Sequence, residues 1–514
     1  MNSSFGSGRT FAGRSGRSVR GALSQSSVAS TRGRSGERRL EGPCVDRRFI
    51  APDAVPCPMI EPDERTKIYS TLDTRFEDFV TILSDYLRVP TISAHGAKFQ
   101  EGAEATKKVL EAIGADVRLV PEEGGPPVVI GEVEEDPTLP WVILYNHYDV
   151  QPVDPLDEWR SDPFDPVIRD GKLYARGAAD TKGNTVAQAL AVQAIRDVAG
   201  RLPVNVRFFV DGEEESGSPH LLPFAEDHPD LFRGLGATIE AAAHTREGKP
   251  SLSLGSKGIL SVELEVRTSA VDQHSSLATV IPNAAWRLIA ALRSLRSERG
   301  RILIDGFLDG VPPPDPGMLR YLRRNTADPI AYKEDYGARE IYGGKTRYAR
   351  IKQATYGTTC TIDGIWSGYT GAGHKTVNPA VAHAKLDFRL LPGQRPDAIF
   401  DLLVAHLRTK GFSDVKVEKH SVFEPAASAI SERLPQAILA ATREVYGTEP
   451  NVFPWSYGSS TTWYFTRMGT PAPHPPGVGY QGSRAHAPNE QIRLDDARRA
   501  MKVAAGMLMA LEHS

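Results

Sequence analysis

The chain has 514 residues, which is too long for one small hydrophobic core and predicts two or three domains. Its net charge of -3 offers no electrostatic attraction for nucleic acid or an anionic membrane, and no apolar run reaches transmembrane length. Its three cysteines are too few for a disulfide framework and favour a reducing compartment, which we expect to be the cytoplasm.

Residues 1–62 differ in composition from the rest of the chain. They are rich in Arg, Ser and Gly and poor in acidic and aromatic side chains. Such a segment cannot bury enough apolar surface to order itself, so we expect a disordered tail or an over-extended translation start. A transit peptide is the alternative, because these peptides are also Arg- and Ser-rich and poor in acids.

Residues 63–256 alternate between helical and strand patterns. The first helical spacing of apolar residues joins Leu72, Phe76, Phe79 and Leu83. The runs that predict strands are DVRLV, PPVVIGEV, WVILYN and VNVRFFV, and those that predict helices are EATKKVLEAIG and NTVAQALAVQAIRDVAG. This alternation predicts an α/β domain with a mixed, mostly parallel sheet that is covered by helices on both faces.

Residues 257–422 change to a period-two alternation, which is typical of an antiparallel sheet. The predicted strands are SVELEVRT, AHAKLDFRLL and DVKVEK, and the predicted helices are AAWRLIAALRSLR and DAIFDLLVAHLRTKG. Residues 423–514 return to helical and strand patterns and end in the helix DDARRAMKVAAGMLMALE. An α+β domain is therefore predicted to be inserted within the α/β domain.

Acidic and histidine side chains follow three apolar runs at the point where each run ends. NHYD follows WVILY, DGEEESGS follows VNVRFFV, and IEAAAH follows LGA, while GAADTKGN precedes a long helix and SRAHAPNE lies near the C terminus. Ligands of open α/β sheets bind at the carboxyl ends of strands, so we expect these clusters to share one crevice. Together they supply His147, Asp149, Asp180, Glu213, Glu214, Glu215, Glu240 and His486.

So many carboxylates in one crevice would repel one another unless cations held them. A mixed set of imidazoles and carboxylates suits zinc, or manganese or cobalt in its place, better than calcium or magnesium. Two divalent ions, three carboxylates and a bridging hydroxide sum to zero charge, which favours a two-metal hydrolase. Taken alone, Asp180 would be a helix cap, Glu213–Glu215 a solvated loop, and His486 a surface or core residue.

The blocks NHYDVQPVDPLDEWRSDPF, DGKLYARGAADTKGN, DGEEESGS and AHAPNE resemble, in sequence and order, those of the dinuclear-zinc peptidase and amidohydrolase family. That family includes carnosinase, cytosolic non-specific dipeptidase, carboxypeptidase G, aminoacylase and succinyl-diaminopimelate desuccinylase. The first block is most similar to the dipeptidase branch. The resemblance runs from about Thr66 to the C terminus, and it implies a zinc-peptidase catalytic domain with an inserted lid and dimerisation domain.

The resemblance implies a role for each residue of the crevice. Two zinc ions per subunit would be bound by five ligands: His147 and Glu240 on the first, Glu215 and His486 on the second, and Asp180 bridging both. Asp149 would orient His147 through a hydrogen bond. Glu214 would be the general base that takes a proton from the bridging water and passes it to the leaving amine.

The resemblance also implies substrate-binding residues, which are His274, Thr376, Arg389 and Ser459. His274 matches a lid histidine that acts on the active site of the partner subunit in a homodimer. The planar fork of Arg389 suits a free substrate carboxylate. Ser459 matches the serine of a Gly-Ser-x-Pro motif whose proline is missing here. Two further departures are Ala241–Ala243 and Ser276, which stand where the family has glycines.

We therefore expect a cytoplasmic, homodimeric metallopeptidase of the dipeptidase or carboxypeptidase type. It would hydrolyse dipeptides or short peptides with a free C-terminal carboxylate, through a hydroxide that bridges two zinc ions. An N-acyl-amino-acid amidohydrolase with the same fold and metals is the alternative. A non-catalytic binding protein is a remote alternative, because a protein that only binds has no need of Glu214 as a base. No nucleic-acid or membrane partner is expected.

Overall fold

The computed structural model describes residues 60–513, so residues 1–59 of the predicted tail lie outside the described part of the chain. Ile60 is buried, and its N–H lies 2.8 and 2.7 Å from the two carboxylate oxygens of Glu512. Ordered packing therefore includes residues on the N-terminal side of the predicted boundary at residue 62. Between residues 60 and 513, no helix is both long enough and apolar enough to cross a membrane.

The helices of the described residues are α1 (Pro62–Thr74), α2 (Phe76–Leu87), α3 (Phe99–Glu111), α4 (Gly183–Ala199), α5 (Leu221–Asp227), α6 (Ala284–Leu295), α7 (Pro316–Arg324), α8 (Ala331–Asp335), α9 (Arg347–Tyr356), α10 (Pro396–Thr409), α11 (Arg433–Tyr446), α12 (Thr462–Arg467) and α13 (Leu494–Ala510). The strands are β1 (Asp116–Val120), β2 (Val128–Val133), β3 (Trp141–His147), β4 (Val167–Arg169), β5 (Lys172–Tyr174), β6 (Asn205–Asp211), β7 (Gly236–Ile239), β8 (Ala242–His244), β9 (Ser251–Ser253), β10 (Gly255–Ser256), β11 (Gly258–Arg267), β12 (Gln273–His274), β13 (Thr361–Ser367), β14 (Val377–Asn378), β15 (Val381–Leu390), β16 (Val415–Phe423), β17 (Ala426–Ala427), β18 (Asn451–Phe453), β19 (Pro476–Tyr480) and β20 (Gln491–Arg493).

The central sheet has the strand order β1-β2-β6-β3-β7. β3 pairs in parallel with β6 and β7, while β2 pairs in antiparallel with β1 and β6. Successive residues of β3 point to opposite faces. Val142 and Leu144 pack in the same core as residues of α4 and α13, whereas Ile143 and Tyr145 pack with residues of α5 and α12. The predicted mixed α/β sheet between two helical layers is confirmed.

The second sheet has the order β13-β15-β11-β16 and is antiparallel throughout. Buried apolar residues of β11 and β15 form a core with α6 and α10. The predicted α+β domain with an antiparallel sheet, inserted in the chain of the α/β domain, is confirmed. Its sheet runs from Gly258 to Phe423, beside the predicted domain limits of 257 and 422, which stay predictions.

Two features were not anticipated from the sequence. The apolar spacing from Leu72 to Leu83 is divided between α1 and α2, because the backbone leaves helical geometry at Arg75 (φ -88°, ψ 14°). Helices α7 and α9 lie within the predicted lid segment but pack beside β18 of the catalytic domain, where the Asn325 side chain exchanges hydrogen bonds of 2.8 and 3.0 Å with the backbone of Val452.

Candidate active site

Three neighbouring parallel strands end at the candidate site. β3 lies between β6 and β7, and in the β3–β6 register His147 is opposite Asp211. The loop after β6 carries Glu214 and Glu215, and Glu240 is the first residue after β7. Because carboxyl ends of parallel strands meet at one edge of a sheet, the acids of three separate segments converge there.

Asp180 lies between two histidines. Its Oδ1 atom is 3.1 Å from His147 Nε2, and its Oδ2 atom is 2.9 Å from His486 Nε2. The same His486 nitrogen is 3.1 Å from Glu215 Oε2. Three potential ligand atoms lie within 4.8 Å of one another, one each from His147, Asp180 and Glu215. This spacing could hold a metal ion. The structure therefore brings together four of the five predicted metal ligands around Asp180.

Glu240 completes the predicted ligand set from the other side of His147. Ligand atoms of His147, Glu214 and Glu240 also fall within 4.8 Å of one another. The Oε1 atom of Glu240 is buried and has no hydrogen-bond partner among residues 60–513, so a ligand there would satisfy it. Glu240 and His486 both have positive φ, at 45° and 62°, which is unusual for residues with a side chain and is found most often at functional sites.

Asp149 links the end of β3 to the loop that carries the two glutamates. His147 Nδ1 lies 3.0 Å from the backbone oxygen of Asp149 and 3.2 Å from its Oδ1. The fully buried Asp149 carboxylate also accepts the N–H of Glu214 at 3.1 Å and the N–H of Glu215 at 3.0 Å. One carboxylate therefore fixes both the imidazole and the backbone on which the predicted base sits.

The charges of the cluster favour a bound cation. Burial, followed by the negative charge of Glu240, raises the pKa of Glu214 well above its usual range. Burial alone would raise the pKa of Asp180, but hydrogen bonds from His147 and His486 outweigh it and lower that pKa. Hydrogen bonds to Asp180 and Glu215 raise the pKa of His486 to about 11. The carboxylates that raise the pKa of His486 would likewise attract a divalent cation. A set of imidazole and carboxylate donors fits zinc, manganese or cobalt.

One buried acid of the site, Glu490, was not predicted from the sequence. Its Oε2 atom accepts hydrogen bonds from Arg176 Nη1 at 2.7 Å and from the N–H of Gly177 at 3.0 Å. Its Oε1 atom accepts the N–H groups of Ala179 at 2.9 Å and Asp180 at 3.2 Å. Glu490 therefore ties the loop of His486 to the loop of Asp180. Its position in AHAPNE, four residues after His486, was the available signal.

The predicted substrate-binding residues form two separate pairs. Arg389 of β15 donates from Nη1 to Ser459 Oγ at 2.9 Å, which joins the lid to the catalytic domain. His274 and Thr376 lie together on an exposed edge of the lid, where the N–H of Ser275 bonds to the Thr376 oxygen at 3.1 Å. The His274 ring contacts Ser276 Oγ at 2.8 Å, and neither metal-ligand group described above includes it.

A model of the family described as Peptidase family M20/M25/M40 matches residues 143–510, which is more than half of the chain. The chain belongs to this family. The match covers every residue that we place in the crevice, and it confirms the resemblance to this family. Relatives that are dipeptidases support the dipeptidase branch. The prediction that the chain is an enzyme is confirmed, and the remote alternative of a non-catalytic protein loses its support.

Individual relatives of this M20 chain agree with the family assignment. The human Beta-Ala-His dipeptidase is 29% identical over 409 residues, which cover 75% of this chain and 80% of the relative. The Cys-Gly metallodipeptidase dug1 of Schizosaccharomyces pombe is 28% identical over 468 residues, covering 85% and 96%. The structure of an M20 family metallo-carboxypeptidase, Sso-CP2 from Sulfolobus solfataricus, matches with a TM-score of 0.81 at 34% identity and covers 85% of this chain and 99% of that one.

Proposed function

We propose that this M20 peptidase hydrolyses dipeptides, or short peptides with a free C-terminal carboxylate, and that it uses two divalent metal ions held around Asp180. The observation that carries this proposal is the position of the Asp180 carboxylate between two histidines, with Glu215 and Glu240 close by. Two relatives, the human Beta-Ala-His dipeptidase and the Cys-Gly metallodipeptidase dug1 of Schizosaccharomyces pombe, support the substrate class.

We assign five residues to the two metals, with zinc as the expected ion and manganese or cobalt as alternatives. They are His147 and Glu240 for one ion, Glu215 and His486 for the other, and Asp180 for both. Metal ions bound there would polarise the scissile carbonyl and lower the pKa of the attacking water. Asp149 and Glu490 then act on the protein side, because they fix the backbone and rings that carry these ligands.

Glu214 is the proposed general base. Its backbone is held by Asp149, and its carboxylate shares the group of His147 and Glu240. From there it can accept a proton from the attacking water and deliver it to the leaving amine as the amide C–N bond breaks. The adjacent Glu215 contacts His486 at 3.1 Å, so the two neighbouring glutamates have different partners, as their proposed roles require.

Arg389 and Ser459 are the proposed clamp for the substrate carboxylate. The part-buried Arg389 guanidinium is oriented by Ser459, which lies 2.9 Å from its Nη1 atom, and by Asp387, which lies 3.7 Å from its Nε atom, so Nη2 would be the donor that meets a substrate carboxylate first. A planar fork of this kind binds both oxygens of a carboxylate. A free C terminus would thus be recognised at the contact between lid and catalytic domain, close to where a closed lid would hold a short peptide.

We also propose that the enzyme is a homodimer through the lid, and that it acts in the cytoplasm. The edge strand β13 exposes Ile362, Ile365 and Trp366, at 49%, 53% and 40%. An exposed apolar edge strand is suited to pairing with another chain. In such a dimer His274, which is exposed in one chain, would polarise the scissile carbonyl in the partner's site.

A substrate panel tests the proposal. Dipeptides and N-acyl amino acids should be assayed with zinc and with manganese, because the same carboxylate clamp would also accept an N-acyl amino acid. Dipeptides should be cleaved in a metal-dependent reaction and N-acyl amino acids much more slowly. Faster cleavage of N-acyl amino acids would replace the proposal with an amidohydrolase, and cleavage of neither class would exclude both activities.

A further inference from the structure

A cavity of about 220 Å³ lies beside the candidate active site, and we call it the side-chain pocket. Its wall on one side is Ala241–Ala243, which directly follows the metal-ligand candidate Glu240. On another side it is lined by Trp455, Ser456 and Tyr457, which precede Ser459 by two to four residues. The pocket is therefore bordered by the two segments that carry a proposed metal ligand and the proposed carboxylate clamp.

The walls of the side-chain pocket are aromatic and uncharged. Phe453, Trp455 and Tyr457 come from the segment that begins with β18, and Tyr332 comes from α8 of the insertion. The orientation of Trp455 is fixed, because its indole N–H donates to the oxygen of Thr355 at 2.7 Å. Helix α8, which was not predicted from the sequence, thus supplies part of the wall.

Among the described residues that line the side-chain pocket, His474 alone has a side chain whose ordinary pKa lies near neutral pH. It is buried, and its Nε2 atom lies 2.9 Å from Thr462 Oγ1. Burial lowers the pKa of His474 to about 4, so the ring is neutral at pH 7. The described lining residues therefore carry no charge at pH 7 that could pair with a lysine, an aspartate or a glutamate side chain.

The size of the side-chain pocket also selects its occupant. A cavity of roughly 150 Å³ is enough for a benzene molecule, so about 220 Å³ admits a phenyl or large aliphatic side chain. The small side chains of Ala242 and Ala243 take up little of the space along this wall. Ser251 and Ser253 add hydroxyl groups that can meet a polar tip.

We infer that the side-chain pocket binds one bulky, uncharged side chain of the substrate dipeptide, and that it makes this enzyme selective for dipeptides with an aromatic or large aliphatic residue. The inference rests on the proposed dipeptide hydrolysis. The occupant comes from either the N-terminal or the C-terminal residue of the substrate, and the chemistry of recognition is the same for both.

Matched dipeptides test the selectivity. The full chain with zinc should be assayed on Phe-Gly, Gly-Phe, Lys-Gly, Gly-Lys and Gly-Gly. One of the two phenylalanine dipeptides should have a kcat/KM roughly 10- to 100-fold above that of Gly-Gly, the gain expected from burying one large apolar side chain. It should exceed by a similar factor the dipeptide with lysine at the same position. The phenylalanine dipeptide that benefits identifies which residue enters. Equal rates for all five would overturn the inference while leaving dipeptide hydrolysis intact, whereas no hydrolysis would overturn both.

Ala243→Leu assigns the selectivity to this pocket. Ala243 is exposed at the rim, so a leucine should narrow the cavity without disturbing the core. The ratio of kcat/KM for the preferred phenylalanine dipeptide to that for Gly-Gly should fall about 10-fold or more. Ala440→Leu, on the exposed side of α11, is the matched control and should leave the ratio unchanged. An unchanged ratio in Ala243→Leu, or an equal loss on both substrates, would contradict the assignment.

Discussion

Asp149 Oδ1 accepts the backbone N–H of Glu214 at 3.1 Å, so the residue that contacts His147, a proposed metal ligand, also holds the backbone of the proposed base. Asp149→Asn should disturb both, because an amide presents an N–H where a carboxylate oxygen accepted one. We expect metal affinity and kcat to fall, each by roughly 10- to 100-fold. Zinc competition measures the metal affinity, and steady-state kinetics measure kcat. Asp136→Asn, in an exposed loop, is the charge-matched control. Native values in Asp149→Asn would contradict the role.

Glu214 and Glu215 should respond differently to the same substitution. Glu214→Gln should keep both metals and lose turnover by roughly 10²- to 10⁴-fold, because it removes the proton acceptor. Glu215→Gln should weaken metal binding first, because Glu215 lies beside His486 and Asp180. Metal content and kcat of the two purified variants decide between these roles. The opposite pattern would mean that the base and the ligand have been exchanged.

Glu490→Gln should loosen the loop that carries Asp180. An amide has one acceptor atom where the carboxylate has two, so the four donors on Glu490 can no longer all be satisfied. We expect metal affinity to fall by roughly 10- to 100-fold, together with a changed visible spectrum of the cobalt-loaded enzyme. Asp496→Asn is the control, because it also removes a buried acid paired with arginine. A purely structural role would lower the melting temperature in both variants and leave the metal affinity and the spectrum unchanged.

Arg389→Met should reduce kcat/KM for free dipeptides by roughly 30-fold or more, the effect of breaking a charged hydrogen-bonded pair. The loss should be much smaller for the same dipeptides amidated at the C terminus, which should already be poor substrates of the native enzyme. Ser459→Ala should show a weaker version of the same pattern, because it removes the contact that orients Arg389. Equal cleavage of free and amidated dipeptides by the native enzyme would exclude the clamp.

Stability should fall as the pH drops from about 6.5 to about 4, in part because of His474. Burial lowers the pKa of His474 to about 4, whereas an unfolded histidine has a pKa near 6.5. In that interval the unfolded chain binds a proton that the folded chain does not. The free energy of unfolding therefore falls by about 1.4 kcal/mol for each unit by which the pH drops. Denaturant unfolding at pH 7, 5.5 and 4.5 should show a shallower pH dependence for His474→Gln. The same slope in both proteins would contradict this contribution.

The sequence predicted the strands well where a local pattern determines them. In β15, Leu386, Phe388 and Leu390 are buried and alternate with the less buried Asp387 and Arg389, so the period of two placed the arginine correctly on the face opposite the lid core. The clusters at strand ends could be predicted to converge, because parallel strands share an edge. Features that depend on distant contacts could not be predicted. Arg176 and Glu490 are separated by 314 positions, and no local pattern joins them.

The short helices α7 to α9 show the same limit. Helices α7 and α9 pack against β18 and its neighbours, which lie about a hundred residues later in the chain. Helices of five to ten residues have little stability by themselves, so their sequence carries a weak signal. The side-chain pocket, which is lined in part by Tyr332 of α8, could therefore not be predicted from a sequence pattern.

The proposed two-metal site around Asp180 is tested most directly by removing metal from the purified chain, adding zinc back in steps, and measuring bound metal and dipeptide cleavage together. Full activity should require two equivalents of zinc per chain, and Asp180→Asn should bind less metal and stay inactive. Full activity with one equivalent bound, or cleavage by the metal-free chain, would contradict it.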